Sequence, residues 1–377
     1  MSTKIKKLLP YLIVFLTGAV GGFCIIVVTP EVGLVMMLAG IICLGICFIL
    51  HVFIHEAGHL VAGKISGYGF VSIRFFDLMF IRKDGKMIRK KYRIAGTLGQ
   101  CLMSPPPPVD GKYPFVLYNL GGSLMNFIFS ALSMGIYFIL PSGSWILMMF
   151  AIVGAIVGLL NILPLNLGIP TDGHNAVTLG KNKLAHRTFW TVLNINSLIT
   201  KGFRYRDIPV EEFNFLDDIH LNHQERNNAL VIGVETNKFE WLMDRREFNE
   251  AKILVERLVN TTDKMLDIQK NGLLCELLFI ELISECRKEE IERIYTSNLQ
   301  KYVKTTSSYV AVQRLLYAYS KLFLNDDAEA AKILEKFNKI CLTYPFDGEI
   351  VSNKELIKLV DILADKRKNQ NEKSVII

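Results

Sequence analysis

The sequence predicts an α-helical polytopic membrane protein, with four transmembrane helices and a cytoplasmic β-hairpin, followed by an all-α, helical-repeat-like soluble domain. Three observations carry that expectation. Apolar runs of membrane length crowd the part of the chain before about Ile169, lifting the hydrophobic share to 51% of 377 residues and the mean hydropathy to +0.31. From about Asn228 onward, apolar and charged residues recur at helical spacing instead. Between the apolar runs, basic residues gather in some loops and are missing from others, the bias that orients membrane helices. The implied divisions are a membrane domain over 1–174, a juxtamembrane connector over 175–225, a cytosolic α-helical domain over 226–364 and a charged tail over 365–377. A formal net charge of +7 arises largely from one loop and the N-terminus. It reads as membrane orientation rather than nucleic-acid binding.

Taken in order, Lys4, Lys6 and Lys7 precede an apolar run from Leu8 to Val28, long enough to cross ~30 Å of hydrocarbon. A cleaved signal peptide would also suit the basic start and the small residues Gly18 to Gly22. The end of the run, Val27-Val28-Thr29-Pro30, is a poor cleavage site and favours a retained anchor. The second span covers about Val32 to Ala57. A basic, non-helical stretch follows, in which Val71, Ile73 and Phe75 alternate with polar neighbours and Asp84-Gly85 supplies a hairpin turn before Met87 and Ile88. Arg74, Arg82, Lys83, Lys86, Arg89, Lys90, Lys91 and Arg93 place this hairpin on the cytoplasmic side. The Pro105–Pro108 run breaks regular structure before span three, about Pro114 to Leu140. An uncharged connection, Pro141-Ser142-Gly143-Ser144, leads to span four, about Trp145 to Leu163. Both termini are then cytoplasmic in a multi-pass cell-membrane protein. In the connector, Lys181, Lys183 and Arg187 flank Phe189, Trp190, Val192 and Leu193, a pattern that suits a helix on the membrane surface and equally a packed one. In the helical domain, Ala251, Ile291 and Ala331 stand about 40 residues apart in similar contexts, the period of helical-pair repeats such as the tetratricopeptide type. The seven cysteines contain no C-x-x-C pair, so reduced thiols are expected.

Chemistry concentrates in His55-Glu56-Ala57-Gly58-His59. Four residues apart on a helix, His55 and His59 share a face and can hold one Zn2+, with Glu56 placed to take a proton from a water. Ionisable side chains inside a membrane-length apolar run are costly and mark function. A catalytic zinc needs a third protein ligand, and Asp172 is the only carboxylate in the broken segment Asn161 to His174 that ends span four. His51, one turn before His55, reads as a buried hydrogen-bonded neighbour of the site, because a fourth protein ligand would close it to water.

These residues resemble the site-2 protease family of intramembrane zinc metalloproteases. The H-E-x-x-H in a membrane helix is followed two spans later by Asn161-x-x-Pro164 and then Asp172-Gly173, with Gly122-Ser123-Leu124-Met125-Asn126 in the helix between. The resemblance covers roughly residues 32 to 180. It implies zinc held by His55, His59 and Asp172, Glu56 as general base, and Asn126 with Gly122 near the substrate carbonyl. It also implies that an extended substrate adds to a strand edge. Thr171 and His174 depart from the family pattern, which leaves His174 as a competitor or neighbour of the ligands; Asn161 is a neighbour only. The implied substrate is a membrane-spanning or membrane-inserted peptide cut near the cytoplasmic face, and the helical domain could dock a cytosolic protein partner. The alternatives are a non-catalytic membrane peptide-binding scaffold and a metal transporter. The transporter lacks further intramembrane ligands to form a path.

Overall fold

The structure, a computed structural model, describes residues 34–94, 97–140, 144–166, 170–217, 219–261 and 265–375. The expected span over 8–28 and most of the connection 141–144 lie outside the described residues. Three helices are long and apolar enough to cross a membrane: α1 (Leu34–Ile65), α2 (Val116–Ile139) and α3 (Trp145–Ile162). The shortest, α3, has 18 residues, about 27 Å of helix and close to the hydrocarbon thickness. Four strands lie between α1 and α2: β1 (Gly69–Phe75), β2 (Leu78–Lys83), β3 (Lys86–Lys91) and β4 (Gly99–Ser104). They form one sheet in the order β3-β2-β1-β4, with β1 and β4 antiparallel. The expected turn is present at Asp84-Gly85, both with positive φ (49° and 77°), as a tight hairpin turn requires. The hairpin is thus part of a larger sheet. Its added edge strand β4 is the segment Gly-Gln-Cys-Leu-Met-Ser, which carries no regular alternation of polar and apolar residues.

The chain divides into two compact units, 1–80 with 93–187 and 81–92 with 188–377. In the first, α2 has an inside-out pattern. Asn119, Gly122, Ser123, Asn126, Ser130 and Ser133 recur every three or four residues and are buried, while Leu124, Ile128, Leu132 and Ile136 are exposed. Lipid is as apolar as leucine, so packing of small and polar residues, not burial of large ones, holds such helices together. Gly58 and Gly121 are the point of closest approach. A Cβ on Gly121 would stand 2.5 Å from the Ala62 Cβ, and one on Gly58 would overlap the Gly121 carbonyl. Arg74 is fully buried, not one of the exposed charges of the hairpin. Its guanidinium donates to the Phe76 carbonyl at 2.6 Å and to the Thr97 hydroxyl at 2.5 Å, and so ties the entry of β4 to β1.

The second unit is helical apart from residues 81–92. It contains α4 to α13 except for the first of them, α4 (Asp172–Lys181), which belongs to the first unit; α5 (Lys183–Lys201) begins in the first unit and ends in the second. Ile195 and Ile199 of α5 belong to the helical core, so its C-terminal half is a packed helix. Then come α6 (Ala229–Arg245), α7 (Phe248–Thr261), α8 (Asp267–Ile283), α9 (Lys288–Ile294), α10 (Ser297–Thr305), α11 (Val310–Ala318), α12 (Asp327–Thr343) and α13 (Asp347–Val375). The Asn228 side chain caps α6 by accepting from Leu230 N–H at 2.8 Å. Ala251 and Ile291 are buried as the repeat reading expects, but Ala331 is exposed and its neighbour Ala330 is buried. The helix α12 starts afresh at its cap Asp326, after Asn325 in the left-handed conformation ends the preceding π-helical stretch Tyr319–Leu324. Residues 365–375, which read as a charged tail, continue α13. Arg367 donates to the Leu282 and Ser284 carbonyls at 3.1 and 3.0 Å, satisfying the open end of α8. Arg204 donates to Asp244 at 2.5 Å and to Glu355 at 2.6 Å, clamping α6 to α13.

Burial raises Glu349 from an ordinary 4.5 to about 7; the Tyr344 hydroxyl, donating at 2.8 Å, pulls the other way and Glu276 adds to the rise. The folded chain therefore keeps a proton that the unfolded chain releases. The stability tied to this group is present below pH ~4.5 and lost as pH rises through about 7, a difference of about 3 kcal/mol. The melting midpoint should fall between pH 5 and pH 8, and Glu349→Gln should flatten that fall. Identical pH profiles for the two proteins would contradict it.

Candidate metal centre

Three acceptor atoms converge in the first unit. His55 Nε2 and His59 Nε2, brought to one face by the helical period of α1, are 3.2 Å apart. Asp172 Oδ2 lies 3.1 Å from the first and 3.4 Å from the second. Donors about 2.0 Å from a tetrahedral ion stand about 3.3 Å apart, so the triangle has the dimensions of a metal site. These are the only three His, Cys, Asp or Glu residues among the described ones that could share an ion.

The proton inventory supports the same assignment. His59 Nδ1–H donates to the Tyr118 carbonyl at 2.8 Å, which leaves Nε2 with a lone pair. The Asn126 amide lies between His55 Nδ1 (3.2 Å) and His51 Nδ1 (3.3 Å), and His51 Nε2–H donates to the Phe150 carbonyl at 2.9 Å. With the amide oxygen turned toward His51, that ring would have to carry two protons, a cation in an apolar span. The opposite orientation has the same shape and keeps every ring neutral: the oxygen accepts from His55 Nδ1–H and the nitrogen donates to His51 Nδ1. His55 Nε2 is then also a bare acceptor. Asp172 Oδ2 is buried and lacks a hydrogen-bond donor. Two nitrogens and one oxygen face each other with no proton to share, which a cation resolves.

Each ligand is held by a specific device. Gly122 leaves room for the His55 ring, since a Cβ there would stand 2.5 Å from Cε1. A Cβ on Gly154 of α3 would overlap the His51 ring, which lies 4.2 Å from the Phe150 ring. Asp172 is the first residue of α4 and depends on Thr171. The Thr171 hydroxyl donates to the Leu163 carbonyl at 2.6 Å, accepts from Leu165 N–H at 3.1 Å and caps α4 by accepting from His174 N–H at 3.3 Å. A Cβ on Gly173 would overlap the Ile162 carbonyl, so α4 starts tight against the end of α3. The departure from the family pattern at Thr171 is thus the residue that aims the carboxylate.

Glu56 is buried beside the triangle and interacts electrostatically with His55, His59, Asp172 and Arg74. The backbone of β4 passes directly over it, because a Cβ on Gly99 would overlap its carboxylate. Asn126 and Gly122, expected near a substrate carbonyl, lie against the histidine rings, and Asn126 is fully buried. His51 is the buried, hydrogen-bonded neighbour the sequence suggests. Asn161 donates to Val157 within its own helix at 3.0 Å, and His174 is not among the converging ligands. Sequence reasoning missed Tyr118, Arg74, Thr171 and Gly99. Only Thr171 left a readable signal, a hydroxyl residue between Pro170 and a helix-starting Asp-Gly.

Purified protein should carry about one metal ion per chain. Asp172→Ala should release it, while Asn126→Leu, which removes the partner of His55 Nδ1, should weaken binding about 10–100-fold. Metal analysis against a competing chelator measures both, and full occupancy in Asp172→Ala would remove that residue from the ligand set. No family model, curated protein or solved structure matches this chain.

Proposed function

We propose that the chain is a zinc-dependent intramembrane endopeptidase of the site-2 protease type, cutting a membrane-spanning or membrane-inserted peptide near the cytoplasmic face. The observation that carries the reading is the convergence of His55 Nε2, His59 Nε2 and Asp172 Oδ2 beside the buried Glu56. Two imidazoles and one carboxylate suit zinc and leave a fourth position for water. When bound, zinc would supply Lewis acidity and bring the pKa of its water down to about 7.

The chain's own groups do the rest. Glu56 accepts the proton of the attacking water and returns it to the leaving amine. Tyr118 and Asn126 keep the two imidazoles in the tautomer that presents Nε2. Arg74, whose guanidinium donates to the Phe76 and Gly99 carbonyls and the Thr97 hydroxyl, gives Glu56 a positive neighbour. A peptide bond in a transmembrane helix is shielded by its own hydrogen bonds and must be unwound first. Strand β4 stands at the end of the sheet order, and its Gly99 packs against Glu56. An unwound substrate adding to β4 would satisfy its backbone there, with the scissile carbonyl delivered to the site. The basic residues of the hairpin put this side of the membrane domain, and both termini, in the cytoplasm.

Glu56→Gln should keep its metal and lose roughly 10²–10⁴-fold in the rate of cutting. The assay uses the full chain in detergent with a panel of transmembrane peptides carrying a helix-breaking residue. Equal cutting by both proteins would end the protease reading and favour a peptide-binding scaffold.

A further inference from the structure

The helical unit contains a groove that the metal centre does not use, with polar side chains set among apolar ones such as Val192, Leu273 and Val312. Its cavity is about 370 Å³, within the usual range of ligand sites, about 300–1,000 Å³. Asn196 of α5, Thr236, Asn237 and Glu240 of α6, and Gln269 and Glu276 of α8 line it. On α6, Gly233, Thr236, Asn237 and Glu240 follow a spacing of three, four and seven, so one helical face carries these polar residues toward the cavity. That face would ordinarily be apolar in a packed helix.

Several of these groups lack partners. Asn237 is only 8% exposed and, like Asn196, its side chain makes no hydrogen bond among the described residues. Buried carboxamides are otherwise almost always bonded. Glu240 has no hydrogen bond or ion pair among the described residues. The one cation that faces it, Arg314, is taken by Glu276 through two contacts of 2.6 and 2.5 Å. Burial, then Glu276 and Glu349, push the Glu240 carboxyl upward. Glu240 also lines a second chamber of about 100 Å³ with Arg314, Glu349 and Asn353. There Asn353 Oδ1 and Arg314 Nε are buried without a partner.

We propose that this groove binds an extended peptide segment and that Glu240 receives an arginine or lysine side chain of that segment. A carboxamide both donates and accepts, so Asn196 and Asn237 match the alternating N–H and C=O of an extended backbone. The unpartnered ionisable group of the groove is a carboxyl, which disfavours phosphates and nucleic acid and suits a cation, whose arrival favours the carboxylate form. A divalent metal is a poor occupant, because Glu276 is held by Arg314 and Glu349 accepts from the Tyr344 hydroxyl at 2.8 Å. Glu240 is then the one uncommitted carboxylate among the groove's lining residues. Gly272 keeps the groove open, since a Cβ there would stand 3.3 Å from the Tyr302 hydroxyl. This inference does not depend on the protease reading.

The test uses the full chain in uncharged detergent, with Glu56→Gln in the background so that no peptide is cut. Acetylated, amidated hexapeptide pools with random flanks and a central arginine, lysine, citrulline or norleucine are captured and quantified by mass spectrometry. The arginine and lysine pools should be enriched roughly tenfold over their neutral counterparts. Glu240→Gln, isosteric and relieved of an unpaired charge, should erase that preference while still folding. Gly272→Leu should reduce capture of all four pools, and a melting curve on each variant separates this from unfolding. Equal capture of charged and neutral pools, no capture of any pool, or an unchanged preference in Glu240→Gln would overturn the proposal.

Discussion

Two imidazole nitrogens and a carboxylate oxygen aimed at one point, in surroundings of low polarity, repel each other unless a cation lies between them. Most of the first unit can be read as the apparatus that holds those lone pairs in place. Tyr118 and Asn126 fix the ring tautomers, Gly122 and Gly154 make room for the rings, and Thr171 staples the broken end of α3 to the start of α4. The Gly58–Gly121 contact lets α1 and α2 come close enough for His55 to reach Asn126. In a membrane such contacts rest on shape and on satisfied hydrogen bonds, since burial of apolar surface contributes little against lipid. Small residues at these positions are therefore part of the site's construction.

The second unit solves a different problem with the same physics. Its core contains many charged groups, and most are paired: Arg204 with Asp244 and Glu355, Arg314 with Glu276, and Glu281 with Lys252 and Arg287. Such pairs fix the relative placement of helices more than they add net stability. Against that background Asn237 and Glu240, which line the groove without a hydrogen bond among the described residues, stand out. A peptide would supply what the helices leave open.

The two units also differ in how their sequences advertise them. The membrane helices are legible because length and apolarity are properties of a single segment, independent of what it packs against. The hairpin turn at Asp84-Gly85 is legible because only certain residues accept positive φ. Strand β4 was not, since Gly99–Ser104 has no alternating pattern and becomes a strand through its pairing with β1. Ala331 failed as a repeat position for a related reason. Which face of α12 is buried is set by what it packs against, and the burial falls on Ala330.

By itself the sequence determined the two-part organisation, the pairing of His55 with His59 and the nomination of Asp172, because each follows from local period, composition or the shortage of other carboxylates. The tertiary structure alone decided what those residues touch. It set Asn126 between two histidine rings, buried Arg74 beside Glu56, and made Thr171 the cap that aims Asp172. It also brought Asn237 and Glu240 to a cavity, with nothing in the chain to satisfy them. Periodicity along one segment says which way a side chain points; what it meets there depends on segments up to more than a hundred residues away, such as Asp172 for His55.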